Sequence, residues 1–313
     1  MKENNMKNNT RVLKSVLFIL AFIAVFIASA SSEQDMKTID AVYPGLASGA
    51  LSQASLTNLP DGILLKSKGL EISSKELEQE IQKLPAEIKP QMEKNRLFFL
   101  EQMATRRLLV LLAQNDSGTT HTEEVENSMI QSYFENLTKD ISVSEKEVGE
   151  FYEKNKDMCG GATLDKVASE LKNYILQQKK QDAVDSHIKN IGKARPISIS
   201  ATWVKDQSVL AADNPVDKAR SNGKPSLVDF GANGCRPCDM MTPILESLGK
   251  KYEGKINVFF VHVNKERILA ARFGIQSIPV QVFFDKTGRE VFRHTGFFAQ
   301  EEIEKKFEAL GMK

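Results

Sequence analysis

Cysteine is scarce in this chain: three in 313 residues. That is too few for a disulfide scaffold, and too few for a four-thiolate zinc site. The four histidines, His121, His187, His262 and His294, are scattered and do not pair at metal-ligand spacing. Charge of one sign is lacking too. Lysine and arginine number 42 against 41 acidic residues, interspersed, so the net charge of +1 leaves no nucleic-acid footprint. No twin arginine lies near the N-terminus, and no cysteine follows the first apolar run, so no lipoprotein signature is present.

Two of the three cysteines stand together in Cys235-Arg236-Pro237-Cys238. Upstream, Ser226-Leu227-Val228-Asp229-Phe230 is an apolar run broken by one acid and reads as a buried strand. Downstream, Met240, Met241, Ile244, Leu245 and Leu248 recur at helical spacing. A C-x-x-C in the first turn of a helix can close a small disulfide ring. Free N–H groups and the helix dipole there stabilise a thiolate on the first sulfur. A lowered thiol pKa makes Cys235 a nucleophile, and Cys238 can resolve the mixed disulfide it forms. The other uses of this spacing are a zinc site and a structural crosslink. Cys159, the remaining thiol, has no cysteine neighbour in sequence.

From about Asn214 to Lys313 the chain resembles a thioredoxin domain. The features are Val228-Asp229-Phe230 before the motif, Pro243 after it, a strand from Phe259 to Val263, and Ile278-Pro279-Val280. A Lys286-Thr287-Gly288 turn, a strand from Glu290 to Arg293, Gly296 and a last helix from Gln300 to Leu310 complete it. The resemblance implies an α/β thioredoxin-like fold with a redox disulfide Cys235–Cys238. It places Asp229 beneath Cys238 as a proton acceptor, and Pro279 in cis facing the disulfide. The backbone at Ile278 would then pair with an extended substrate. Arg236 would add positive charge beside the thiolate and contact substrate. Gly234 and Gly231 stand where the family commonly has tryptophan, and Phe260 where a lysine often accompanies the buried acid. The active-site rim is therefore barer than usual.

Residues 1–30 read as a secretory leader, with Lys2, Lys7, Arg11 and Lys14 before an apolar run from Val16 to Ile27 and a small-residue Ala28-Ser29-Ala30. Export to the periplasm follows; the alternative is an uncleaved inner-membrane anchor facing the periplasm. Residues 31–59 read as an arm, or as a strand that packs late. Residues 60–204 read as mostly helical. A hairpin from Leu64 to Ile72 comes first, then a capping box at Ser73-Glu76 and a long helix from Pro90 to Ala113. Helices follow from Thr122 to Leu137, from Ser144 to about Lys156 and from Leu164 to Ile191, then a strand from Pro196 to Trp203. This order resembles SurA-like chaperone domains. Ile72-Ser73-Ser74-Lys75-Glu76-Leu77, Glu101-Gln102-Met103, Phe151-Tyr152-Glu153-Lys154 and Tyr174-Ile175-Leu176-Gln177 carry that likeness. The parvulin isomerase insert of that family is replaced by a short turn around Cys159-Gly160-Gly161.

Together these readings predict two domains, 60–204 and 205–313. The combined expectation is an exported thiol–disulfide oxidoreductase of the reductase or isomerase type, coupled to polypeptide binding. A DsbA-type oxidase and a redox-sensing chaperone without turnover are the alternatives. Partners would be unfolded or disulfide-containing exported proteins, with a membrane thiol carrier of the DsbD or CcdA kind as electron donor. A homodimer through the helical domain would suit isomerisation. No metal and no cofactor is implied.

Overall fold

The computed structural model describes residues 37–115, 121–159 and 161–312. The expected leader lies outside them. The first described elements are α1 (Ile39–Val42) and a 3-10 turn, Ala50–Gln53. Strand β1 (Ser55–Thr57) follows, then β2 (Ile63–Ser67) and β3 (Leu70–Ser73). Residues 38–57, expected as an arm or a late strand, are core: Ile39, Ala50, Leu51 and Ala54 are fully buried. Their burial is anchored by Glu101, whose carboxylate accepts from the backbone N–H of Ser48, Gly49 and Leu51. That side chain satisfies the orphan donors of the 3-10 turn from 50 residues away in sequence, so local patterning could not reveal it.

Six helices continue the chain: α2 (Ser74–Gln82), α3 (Lys89–Lys94), α4 (Arg96–Ala113), α5 (Glu123–Thr138), α6 (Glu145–Lys154) and α7 (Leu164–Ala194). Ser144 and Glu147 form a complete capping box at α6. At α2 only half the box forms. Ser73 accepts from the Glu76 N–H, but the Glu76 carboxylate turns instead to Arg107 on α4. The single helix expected from Pro90 to Ala113 is broken. Asn95 leaves helical geometry at φ −123°, ψ 37°, and its Nδ2 donates to the Gln91 carbonyl. Asparagine can offer the backbone such a bond in place of a helical one.

The strand expected from Pro196 to Trp203 is confined to β4 (Ser198–Ser200). From Ala201 the chain is helical as α8 (Ala201–Ala211). Ser200 stops the strand because its Oγ accepts from the Trp203 N–H and caps the helix. The first sheet has the order β1-β4-β2-β3, with β1 and β4 parallel and the other pairs antiparallel. Helix α7 ends against the 3-10 turn at Gly192, where a Cβ would lie 2.1 Å from the Ala50 carbonyl oxygen, so only glycine fits.

The C-terminal part holds α9 (Pro215–Arg220), β5 (Ser226–Gly231), α10 (Arg236–Lys251), β6 (Asn257–His262), α11 (Arg267–Arg272), β7 (Val280–Phe284), β8 (Glu290–Thr295) and α12 (Gln300–Ala309). Its sheet has the order β6-β5-β7-β8, with β5 and β6 parallel and the remaining pairs antiparallel. All six residues of β5 are buried. Strand alternation sends Val228 and Phe230 to one face, with Val216, Leu269, Val282 and Phe284. Leu227 goes to the other, with Met241, Leu248, Phe283, Ile303 and Phe307. Helices on both faces thus bury a central strand whose C-terminal end runs into the C-x-x-C loop.

Candidate functional site

Cys235 is the N-cap of α10, with Pro237 inside the first turn, where its missing N–H costs nothing. Cys235 and Cys238 form a disulfide with Cα atoms 5.2 Å apart. The two sulfurs differ in access. Cys235 is half-buried, whereas Cys238 is 3% exposed. An incoming thiol or disulfide therefore meets Cys235 first. The Ile278–Pro279 peptide bond is cis, and the Cys235 sulfur lies 4.0 Å from the Ile278 carbonyl oxygen. Arg236 is exposed on the first turn of α10.

Asp229 is fully buried on β5. Its Oδ1 accepts from Gln281 Nε2 at 2.6 Å, and its Oδ2 has no partner. Burial in that site pushes the carboxyl up to about 6, against which the Gln281 bond works only in part. A carboxyl titrating there can hold or release a proton near neutral pH. Gln281 was not anticipated from sequence. It pairs in register with Asp229 across β5 and β7. The signal was present: a polar residue in the buried strand Val280-Gln281-Val282 needs a partner.

Gly231 and Phe260 form a second unanticipated arrangement. A Cβ on Gly231 would come within 2.9 Å of the Phe260 ring and 3.3 Å of the Cys238 sulfur. The Phe260 ring therefore occupies the space beside the buried sulfur that a side chain at 231 would take. His262 stands edge-on to it with ring centres 6.1 Å apart. Cys159 is a half-buried free thiol whose sulfur lies 3.7 Å from the Asn155 carbonyl oxygen. Among the described residues, no cluster of histidine, cysteine and carboxylate side chains could hold a metal ion.

A buried strand feeding a helix-capping cysteine, a second cysteine one turn on and a cis-proline opposite define a thioredoxin-like domain, the fold of disulfide oxidoreductases. The thioredoxin-like domain family matches residues 212–311. Thioredoxin of Alicyclobacillus acidocaldarius is 37% identical over 97 residues, 31% of this chain and 91% of that protein. Thioredoxin of Borreliella burgdorferi is 37% identical over 81 residues, 26% of this chain and 68% of its own length. Thioredoxin of Staphylococcus saprophyticus is 40% identical over 78 residues, covering 25% and 74% respectively. The chain belongs to the thioredoxin family through this C-terminal region.

Proposed function

We propose that the protein is an extracytoplasmic thiol–disulfide oxidoreductase of the reductase or isomerase type, and that its helical part is a SurA-like module presenting polypeptide to the redox site. The observation that carries the redox reading is the asymmetry of the Cys235–Cys238 pair, one sulfur half-buried at a helix N-terminus and the other 3% exposed.

In the reducing direction the Cys235 thiolate attacks one sulfur of a substrate disulfide. A mixed disulfide forms and one substrate thiolate leaves. Cys238 loses its proton to Asp229, attacks the Cys235 sulfur and expels the second substrate thiolate. Two electrons have then passed to the substrate, and the protein holds the disulfide of this structure. A membrane thiol carrier of the DsbD or CcdA kind returns the dithiol by the same exchange. Backbone at Ile278 and the Pro279 turn would align the substrate strand, with Arg236 stabilising the thiolate.

For the helical part, Val125, Leu137 and Tyr174 each keep more than a third of their surface in solvent and offer apolar contact to an unfolded chain. The test is reduction of insulin by the full chain with dithiothreitol as electron source. The wild type should precipitate the insulin B chain and Cys235→Ser should not; equal activity in the variant defeats the assignment. Equilibration in glutathione or dithiothreitol buffers sets the direction. A potential near about −270 mV supports the reductase, and one near about −120 mV replaces it with an oxidase.

A further inference from the structure

Strand β6 is an edge of the second sheet, and among the described residues it pairs with β5 alone. The N–H groups of Asn257 and Val263 point inward, to the carbonyls of Pro225 and Gly231, at 2.9 Å each. By strand alternation Val258, Phe260 and His262 turn their N–H and C=O groups outward. The His262 carbonyl is taken by the N–H groups of Lys265 and Glu266. Among the described residues, the N–H and C=O of Val258 and Phe260 have no ladder partner.

Nothing in β6 blunts this edge. Its six residues, Asn257 to His262, carry neither lysine, acid nor proline, and its register with β5 runs without a bulge. The opposite edge of the same sheet is protected. Strand β8 carries Glu290 and Arg293, and its pairing with β7 shifts register at Phe284. An open, apolar, unbulged strand is a template for a further strand, and natural proteins usually guard against it.

A groove of about 650 Å³ runs alongside, between β6 and α10, and reaches Cys238 at one end. Its floor includes Leu245, Val258 and Phe260, the last 41% exposed. Its rim is acidic. Asp239 and Glu246 stand two turns apart on α10 and Glu253 lies just past its end, against one lysine, Lys250. All three acids are exposed, and among the described residues none of them makes an ion pair. A second copy pairing through its own β6 would bring two such acidic rows together, which disfavours self-association.

We propose that β6 and this groove form a docking surface for an extended polypeptide segment bearing lysine or arginine between apolar residues. The segment adds as a fifth strand on the outer groups of Val258 and Phe260, with its basic side chains toward the acidic rim. Backbone bonds supply the affinity, and the carboxylates select the sequence. Backbone pairing and charge alone suffice for docking here, so a partner need not react with Cys235 to bind.

The probe is an acetylated nonapeptide alternating valine and lysine, added to the oxidised full chain. Its counterpart alternates valine and glutamate. Amide hydrogen exchange is read at Val258 and Phe260, and affinity by fluorescence anisotropy. The lysine peptide should slow exchange of those two amides at least tenfold and bind at least tenfold more tightly than the glutamate peptide. In the triple variant Asp239→Lys, Glu246→Lys, Glu253→Lys, all at exposed positions, that preference should reverse. Unchanged exchange at saturating peptide overturns the proposal, as does equal binding of the two peptides. Protection of β6 that grows with protein concentration alone also overturns it, in favour of a second copy.

Discussion

The Asp229 carboxyl should make stability depend on pH with a definite sign. Its folded value is raised from 3.8 to about 6. Between those values the folded protein keeps a proton that the unfolded chain has released. Stability therefore falls as pH rises, at about 1.4 kcal/mol per unit, and is flat below and above the window. The total loss from this group is about 3 kcal/mol between pH 3 and pH 7. Asp229→Asn removes the titration while keeping an oxygen to accept from Gln281 Nε2. Its amide also places a donor where Oδ2 has no partner, which costs about 1 kcal/mol at every pH. The variant should thus be about 1 kcal/mol less stable than wild type at pH 3 and about 2 kcal/mol more stable at pH 8. Urea unfolding of the oxidised protein at unit pH steps measures this. The swing between variant and wild type is the test quantity, because the fixed cost cancels in it. A swing below about 1 kcal/mol would refute the account of Asp229 as a desolvated carboxylate.

Three further outcomes follow from the packing. Gly231→Ala should cost about 1–3 kcal/mol, since its Cβ meets the Phe260 ring at 2.9 Å and the Cys238 sulfur at 3.3 Å; Phe260→Leu should recover part of that loss in a double-mutant unfolding cycle. Arg220→Met should cost about 3–5 kcal/mol by denaturant unfolding, because buried Arg220 pairs with Asp217 and donates to the carbonyls of Gly288 and Pro44. Faster amide exchange around Gly45 should accompany it, as the Pro44 carbonyl loses its donor. Glu101→Ala should leave three buried or half-buried N–H groups unsatisfied, cost about 3 kcal/mol or more, and open residues 48–51 to proteolysis, with Glu101→Gln milder.

What was legible in the sequence was whatever depends on neighbours along the chain. The Cys235–Cys238 pair, the β2–β3 hairpin and the α6 capping box rest on spacings of a few residues, and each forms. The acid between Val228 and Phe230 announced its own burial, because an apolar strand covered on both faces leaves no solvated position for it. Long-range satisfaction was not legible. The Glu101 carboxylate draws residues 48–51 into the core, and that single anchor separates a packed segment from the expected arm. Asn95 and Ser200 moved element boundaries because each hydrogen-bonds its own backbone, a choice that hydrophobic periodicity does not register.

Gly231 and Phe260 show how two apparent departures from a family pattern reduce to one. Read along the chain, a missing large side chain at 231 and an aromatic ring in place of a lysine at 260 are separate losses from the active-site rim. In the sheet they lie on one face, two residues along from Asp229 and opposite it across β5 and β6. The ring at 260 fills the space a side chain at 231 would take, so the region beside the Cys238 sulfur is packed from the edge strand rather than from the central strand. The exchange also removes an ammonium group that would favour ionised Asp229. Among the described residues Gln281 is its one hydrogen-bond donor, and desolvation outweighs that bond and raises its pKa. A Phe260→Lys variant should therefore lower the Asp229 pKa and move the pH dependence of resolution by Cys238 in the same direction. Titration of the oxidised variant by carboxyl NMR, beside single-turnover kinetics of the reduced one, would separate that electrostatic effect from the loss of packing.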